Sequence, residues 1–199
     1  MRVAIFASGN GTNFDAIVNS SKLQNAGLEI AILVCDQPNA PVIQKANKFK
    51  IPVFVNELKN FPNRKEYEKT IVDKLSPLNI EYIFLAGYMR VVTSELLNKY
   101  RNRIINIHPS LLPKFSGLDA IQRAFDSGDE ETGVTIHYID ENVDTGPIIC
   151  QSHIPILRTD NVETLEERIH TKEHEMYIKV ILDLIKRESE NVNFEKGID

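Results

Sequence analysis

RVAIFASGNGTNFDAI, residues 2–17, decides the fold. Its first six residues are an apolar run of strand character, and SGNGTN at 8–13 follows that run and opens an amphipathic stretch over Asn13–Leu23. A buried strand, a glycine-bearing turn and a helix, in that order, form the first unit of an α/β sheet. Free backbone N–H groups at such a helix start are a ready place for an anion. The rival reading is a dinucleotide fingerprint, G-x-G-x-x-G, but its third glycine position is Phe14, so the close helix–strand packing that glycine permits is missing. Asp36 closes the second strand where a ribose-binding acid would stand, yet Gln37-Pro38 turns the chain at once. On these residues alone, a tight turn that needs its glycines stays open beside the phosphate-binding reading.

Outward from that unit the pattern repeats. EIAILVC (29–35), PVFV (52–55), YIFLAG (82–87) and RIINI (103–107) read as strands. Pro41–Lys48, Arg64–Leu75 and a short Ser94–Tyr100 read as the helices between them. Near-continuous apolar strands separated by helices indicate a parallel sheet covered on both faces. After Gly117 the pattern changes: residues 118–126 look helical, while GVTIHYID (133–140) and PIICQSHIPI (147–156) read as an antiparallel pair. Leu165, Ile169, Tyr177, Val180, Ile181, Leu184 and Ile185 recur at helical spacing and predict a long helix over Val162–Arg187. The fold class is therefore α/β, a doubly wound, mostly parallel sheet with an antiparallel C-terminal extension. One domain is expected over 1–199, with an α/β half over 1–110, a second portion over 111–187, and a weakly structured tail over 188–199.

IINIHPSLLPKFSG, residues 104–117, carries the chemistry. Side chains alternate along a strand, so Asn106 and His108 share one face of an otherwise apolar run. Pro109 then ends the ladder because it has no N–H to donate. An amide donor and an imidazole thus arrive together at a sheet edge, although a lone histidine there is usually a satisfied polar residue. In the loop DENVDTG, Asp144 can pair with that imidazole, a pairing that favours the protonated ring. Amide donor, acid/base histidine and orienting carboxylate are the parts needed to carry an acyl group through a tetrahedral oxyanion. Thr135 and His137 share the polar face of the GVTIHYID strand.

NIHPSLLP at 106–113, followed downstream by Asp144-x-Gly146-Pro147, resembles the folate-dependent formyltransferases. IFASGNGTNFDAI, LAGYMRVV (85–92) and TKEHEMY (171–177) resemble the branch that acts on glycinamide ribonucleotide (GAR), and the similarity runs from residue 1 to Lys186. It implies a Rossmann-type N-terminal half and transfer of a formyl group from 10-formyltetrahydrofolate to the amine of GAR in purine biosynthesis. It implies catalytic roles for Asn106, His108 and Asp144, and GAR or phosphate contacts for Gly11, Thr12, Asn13 and Glu173. Arg64, Met89, Arg90, Val91, Val92 and Asn106 would line the folate site, in the portion 111–187 together with the C-terminal helix. Thr135 and His137 would stand behind the catalytic residues. The folate is a co-substrate, and neither metal, nicotinamide nor flavin is implied. Phe115-Ser116-Gly117-Leu118-Asp119 departs from the family pattern, so Asp119 receives no role, and neither does His170.

Composition, 42% hydrophobic and 26% charged, is that of an ordinary soluble globular protein. The net charge is −5, against a nucleic-acid partner, which would call for a basic surface. Cys35 and Cys150 lack CxxC spacing, and His170 and His174, one helical turn apart, have no HExxH arrangement or third ligand beside them. Met1–Ala7 is too short for a signal peptide or membrane span, so a cytoplasmic chain is expected. A formyltransferase acting on tRNA would carry an added basic RNA-binding domain, and a formyl-folate hydrolase an added N-terminal one; strand one starting at Arg2 leaves no room for the latter. The other class of reading is a regulatory nucleotide-binding module without chemistry, which the Asn106, His108, Asp144 set argues against.

Overall fold

A computed structural model, which describes the backbone of residues 1–196 and the side chains of residues 1–190, joins seven strands in one sheet. They are β1 (Arg2–Ala7), β2 (Glu29–Cys35), β3 (Val53–Val55), β4 (Tyr82–Leu85), β5 (Ile104–His108), β6 (Glu131–Tyr138) and β7 (Ile148–Pro155). Their order is β3-β2-β1-β4-β5-β6-β7, and β1 to β5 are parallel. β6 runs antiparallel to both β5 and β7, so the C-terminal pair extends the same sheet.

The helices are α1 (Thr12–Val18), α2 (Ser21–Asn25), α3 (Pro41–Lys48), α4 (Arg64–Leu75), α5 (Ser94–Lys99), α6 (Ala120–Asp126) and α7 (Val162–Lys196). Strand alternation divides the core in two. Val3, Ile5 and Ala7 pack with α1, α3 and α7 on one face, and Ala4 and Phe6 pack with α4 and α5 on the other. This is why both residue parities of β1 are apolar.

Three departures from the sequence reading have local causes. The helix expected over Asn13–Leu23 is two helices, because the Ser20 hydroxyl accepts from Leu23 N and starts α2 afresh. β6 begins at Glu131 rather than Gly133, since Glu131 and Thr132 stay in register with Pro155 and Ile154. The weakly structured tail expected from 188 is helical through Lys196. Glu188 accepts from Tyr82 Oη (2.9 Å) and Arg103 Nη1 (3.1 Å), and no glycine or proline interrupts the run before Gly197. Residues 197–199 of that tail lie outside the described residues.

α7 is pinned at its middle. Tyr177, fully buried, lies with its hydroxyl 3.0 Å from the carbonyl oxygens of both Leu85, the last residue of β4, and Ile105 of β5. The apolar residues read from helical spacing all face the sheet. Among the described residues, no helix is long and apolar enough to cross a membrane.

Candidate active site

β1 has β2 on one side and β4 on the other, so the chain reverses its direction of winding there, and the loop after β1 opens at that switch point. Ser8 N donates to Gly87 O (3.0 Å), which ties this loop to the one after β4. Gly11 precedes α1 with φ +73°, and a Cβ there would lie 2.4 Å from Val42 Cγ2. The position therefore needs glycine for two reasons, backbone conformation and space. Thr12 and Asn13 form the first turn of α1.

Asn13 is buried, and its Nδ2 donates to Glu173 Oε2 of α7 at 3.1 Å, while its Oδ1 is buried without a partner. The structure thus brings Glu173 against the loop, 160 residues away in the chain. Burial pushes the Glu173 carboxyl up to about 7, partly offset by the Asn13 hydrogen bond. The folded chain then holds a proton that an ordinary carboxyl, near 4.5, releases. Protons bound by the folded state exceed those of the unfolded state between these values, so stability falls as pH rises from 4.5 to 7 and stays lower above that. The loss is of order 3 kcal/mol. Glu173→Gln keeps an acceptor for Asn13 and cannot ionise, so its melting temperature should be flatter than the parent's between pH 5 and 8. Parallel melting curves across that range would refute the raised carboxyl.

The catalytic candidates meet at the carboxyl end of β5. Asn106 lies opposite His137, and His108 opposite Thr135, in the antiparallel β5–β6 register, so four polar side chains share one face. His137 is fully buried, and burial lowers its pKa, so it is neutral. Its Nδ1 lies 2.9 Å from Tyr138 O and donates there, which leaves Nε2 to accept from Asn106 Nδ2 at 3.2 Å. The Asn106 amide is thereby oriented with one N–H committed and one free. Thr135 Oγ1 donates to Ser110 O and accepts from Leu112 N, fastening the chain that follows His108.

His108, buried, has Nδ1 3.4 Å from Asp144 Oδ2 and Nε2 2.9 Å from Phe115 O. Both ring nitrogens face acceptors. Asp144 has φ +55° and accepts from Gly117 N at 2.8 Å, and its other oxygen is 3.6 Å from His137 Nε2. Gly146 fixes the loop behind it, since a Cβ there would lie 1.8 Å from Tyr138 O. The Phe115 carbonyl and the Gly117 amide are contributors that the sequence reading missed, for they are backbone groups with no side-chain signature.

The remaining candidates lie on other elements. Arg64 is exposed at the first position of α4. Met89 and Val91 are 64% and 41% exposed, whereas Val92 is buried in the core below. Arg64 and Met89–Val92 precede residue 111 in the chain, and Glu173 is on α7. Asp36 accepts from Arg90 Nε (2.6 Å) and Gln37 Nε2 (3.0 Å). Its committed oxygen is therefore unavailable to a ribose. Asp119 is an exposed residue ahead of α6, and the His170 and His174 rings stack on α7. Among the described residues, no cluster of three His, Cys, Asp or Glu side chains could hold a metal ion.

Comparison with known proteins finds related sequences and structures. Residues 1–181 match the family described as Formyl transferase. The chain is 49% identical to phosphoribosylglycinamide formyltransferase of Bacillus subtilis (strain 168), over 92% of this chain and 94% of that protein. It is 40% identical to the trifunctional purine biosynthetic protein adenosine-3 of Chironomus tentans, over 90% of this chain and 13% of that one. Among solved structures, phosphoribosylglycinamide formyltransferase from Bacillus halodurans superposes with a TM-score of 0.90 at 45% identity, covering 93% of this chain and 95% of that one.

Proposed function

The chain belongs to the formyl transferase family, and from that premise we propose that it moves the formyl group of 10-formyltetrahydrofolate to the amine of GAR, a step of purine biosynthesis. The observation that carries this reading is the convergence of Asn106, His108 and Asp144 toward the carboxyl end of β5, with the imidazole 3.4 Å from the carboxylate.

The free N–H of Asn106 donates to the formyl oxygen as it becomes an oxyanion. A well-placed donor of this kind lowers the barrier by about 3 kcal/mol. His137 holds that amide in the donating orientation, and Thr135 secures the chain after His108. The GAR nitrogen bonds to the formyl carbon first; His108, held at Nδ1 by Asp144, then exchanges Phe115 O for folate N10 at Nε2 and gives that proton to N10 as the C–N10 bond breaks. The proton lost by the attacking amine returns to the His108 ring, which restores the acid, and tetrahydrofolate and formyl-GAR leave. The folate already carries an activated one-carbon unit, which makes no redox step necessary.

GAR binds through its phosphate to the backbone at Gly11, Thr12 and Asn13, and through its ribotide to Glu173. The unpartnered Asn13 Oδ1 supports a ligand donor at that point. The folate lies along Met89, Arg90, Val91 and Val92, with Arg64 and Asn106 at its ends. The setting is the cytoplasm, in keeping with the free thiols of Cys35 and Cys150.

The test supplies 10-formyltetrahydrofolate with a panel of acceptors: GAR, aminoacyl-tRNA, free glycinamide and water alone. Formyl-GAR should form, with the other acceptors far slower. Preferential formylation of another acceptor, or hydrolysis that GAR does not suppress, overturns the reading.

A further inference from the structure

Between β4 and α5 the chain passes through residues 86–93 without regular structure. It is nevertheless fastened by side chains from three other elements. Ser8 Oγ accepts from Met89 N at 2.8 Å. Asp36, 2% exposed at the β2 terminus, accepts from Arg90 Nε at 2.6 Å. Glu68, also 2% exposed, accepts from Thr93 N at 2.6 Å and Leu96 N at 3.2 Å.

The Glu68 contact is unusual in origin. Thr93 is the residue ahead of α5, and its own side chain makes no capping bond. A carboxylate from α4 crosses over and takes two N–H groups at the α5 start instead. A buried carboxylate is costly unless its oxygens are satisfied, so this one is tolerated only while both N–H groups stay in place. Tyr67, adjacent to Glu68, adds a bond from its hydroxyl to that of Tyr88 at the opposite end of the segment. Arg64 lies one turn before Glu68 on the same helix. One helix thus clamps both ends of the segment and carries a third group of the same candidate site. Above the clamp Met89 and Val91 face outward, and below it Val92 is locked in the core.

We propose that Glu68 is a positioning residue for the folate slot, and that Asp36 plays the same part at Arg90. Their carboxylates hold the Met89–Val92 backbone in the shape that meets the flat ring of the co-substrate. This rests on the reading of that segment as the folate site.

The test measures binding of tetrahydrofolate and of GAR, separately, to the full chain. Glu68→Gln replaces one acceptor with an NH2 group that faces a backbone N–H it cannot serve. It should raise the Kd for tetrahydrofolate about tenfold, the loss of one hydrogen bond to a charged group. The Kd for GAR should stay nearly unchanged, as should kcat at saturating folate. Asp36→Asn should shift the folate Kd in the same direction by less, and it decides by the same criteria where Glu68→Gln fails to fold. A merely structural role would lower both affinities together with the melting temperature. That result, or unchanged tetrahydrofolate affinity in the variants, overturns the proposal. A parent chain that binds GAR but not tetrahydrofolate would instead overturn the folate assignment itself.

Discussion

His108→Ala and Asp144→Asn should each lower kcat about 100-fold or more, the range seen when a general acid or its partner is removed. Both substrates should still bind with near-parent Kd, because neither side chain belongs to the phosphate loop or to the 89–92 segment. Asp144→Asn preserves shape and the acceptor for Gly117 N, but removes the charge 3.4 Å from His108 Nδ1. The ring then loses the partner that orients it toward the reacting atoms, while Phe115 O still holds Nε2. Asn106→Ala acts differently: it removes the oxyanion donor and leaves the acid in place. It should cost about 100-fold in kcat, the typical value of one such donor.

Gly11→Val should be the most damaging single change at the phosphate loop. A β-branched residue is strained at φ +73°, and its Cβ would collide with Val42 Cγ2 at 2.4 Å. Destabilisation of about 2–4 kcal/mol is expected from strain and overpacking together. In the folded fraction, measured well below the melting temperature, GAR affinity should drop about 100-fold, the equivalent of roughly two charge-assisted N–H bonds to phosphate. Folate affinity should change little. Equal losses for both ligands at that temperature would contradict phosphate binding at Gly11 to Asn13.

Much of this could be read locally. Strand alternation alone placed Asn106 and His108 on one face, and helical spacing alone selected the α7 residues that face the sheet. The same alternation put Thr135 and His137 on a polar face, and the β5–β6 register then set them opposite His108 and Asn106. What a local reading misses is a partner that is distant in the chain or carries no side-chain signal. Glu188 is fixed by Tyr82, 106 residues away, so the helical end of α7 looked like a solvated tail. Glu68 is one polar position among many on α4 in the sequence, and its partners, Thr93 N and Leu96 N, lie at the start of α5. The Phe115 carbonyl is available only because residue 115 adopts φ +55°, a conformation its residue type does not advertise. The break between α1 and α2 turns on one serine hydroxyl competing with the helix it interrupts.

The central claim is that His108 and Asp144 act as one unit in proton transfer during formyl transfer to GAR. Single-turnover rates of the parent, His108→Ala, Asp144→Asn and the double variant, with saturating 10-formyltetrahydrofolate and GAR, test it most directly. Residues that work as a unit are not additive, so the double variant should be little slower than the slower of the two single variants. Losses that multiply would mean that Asp144 acts independently of His108, and the pairing at the centre of the site would have no part in the chemistry.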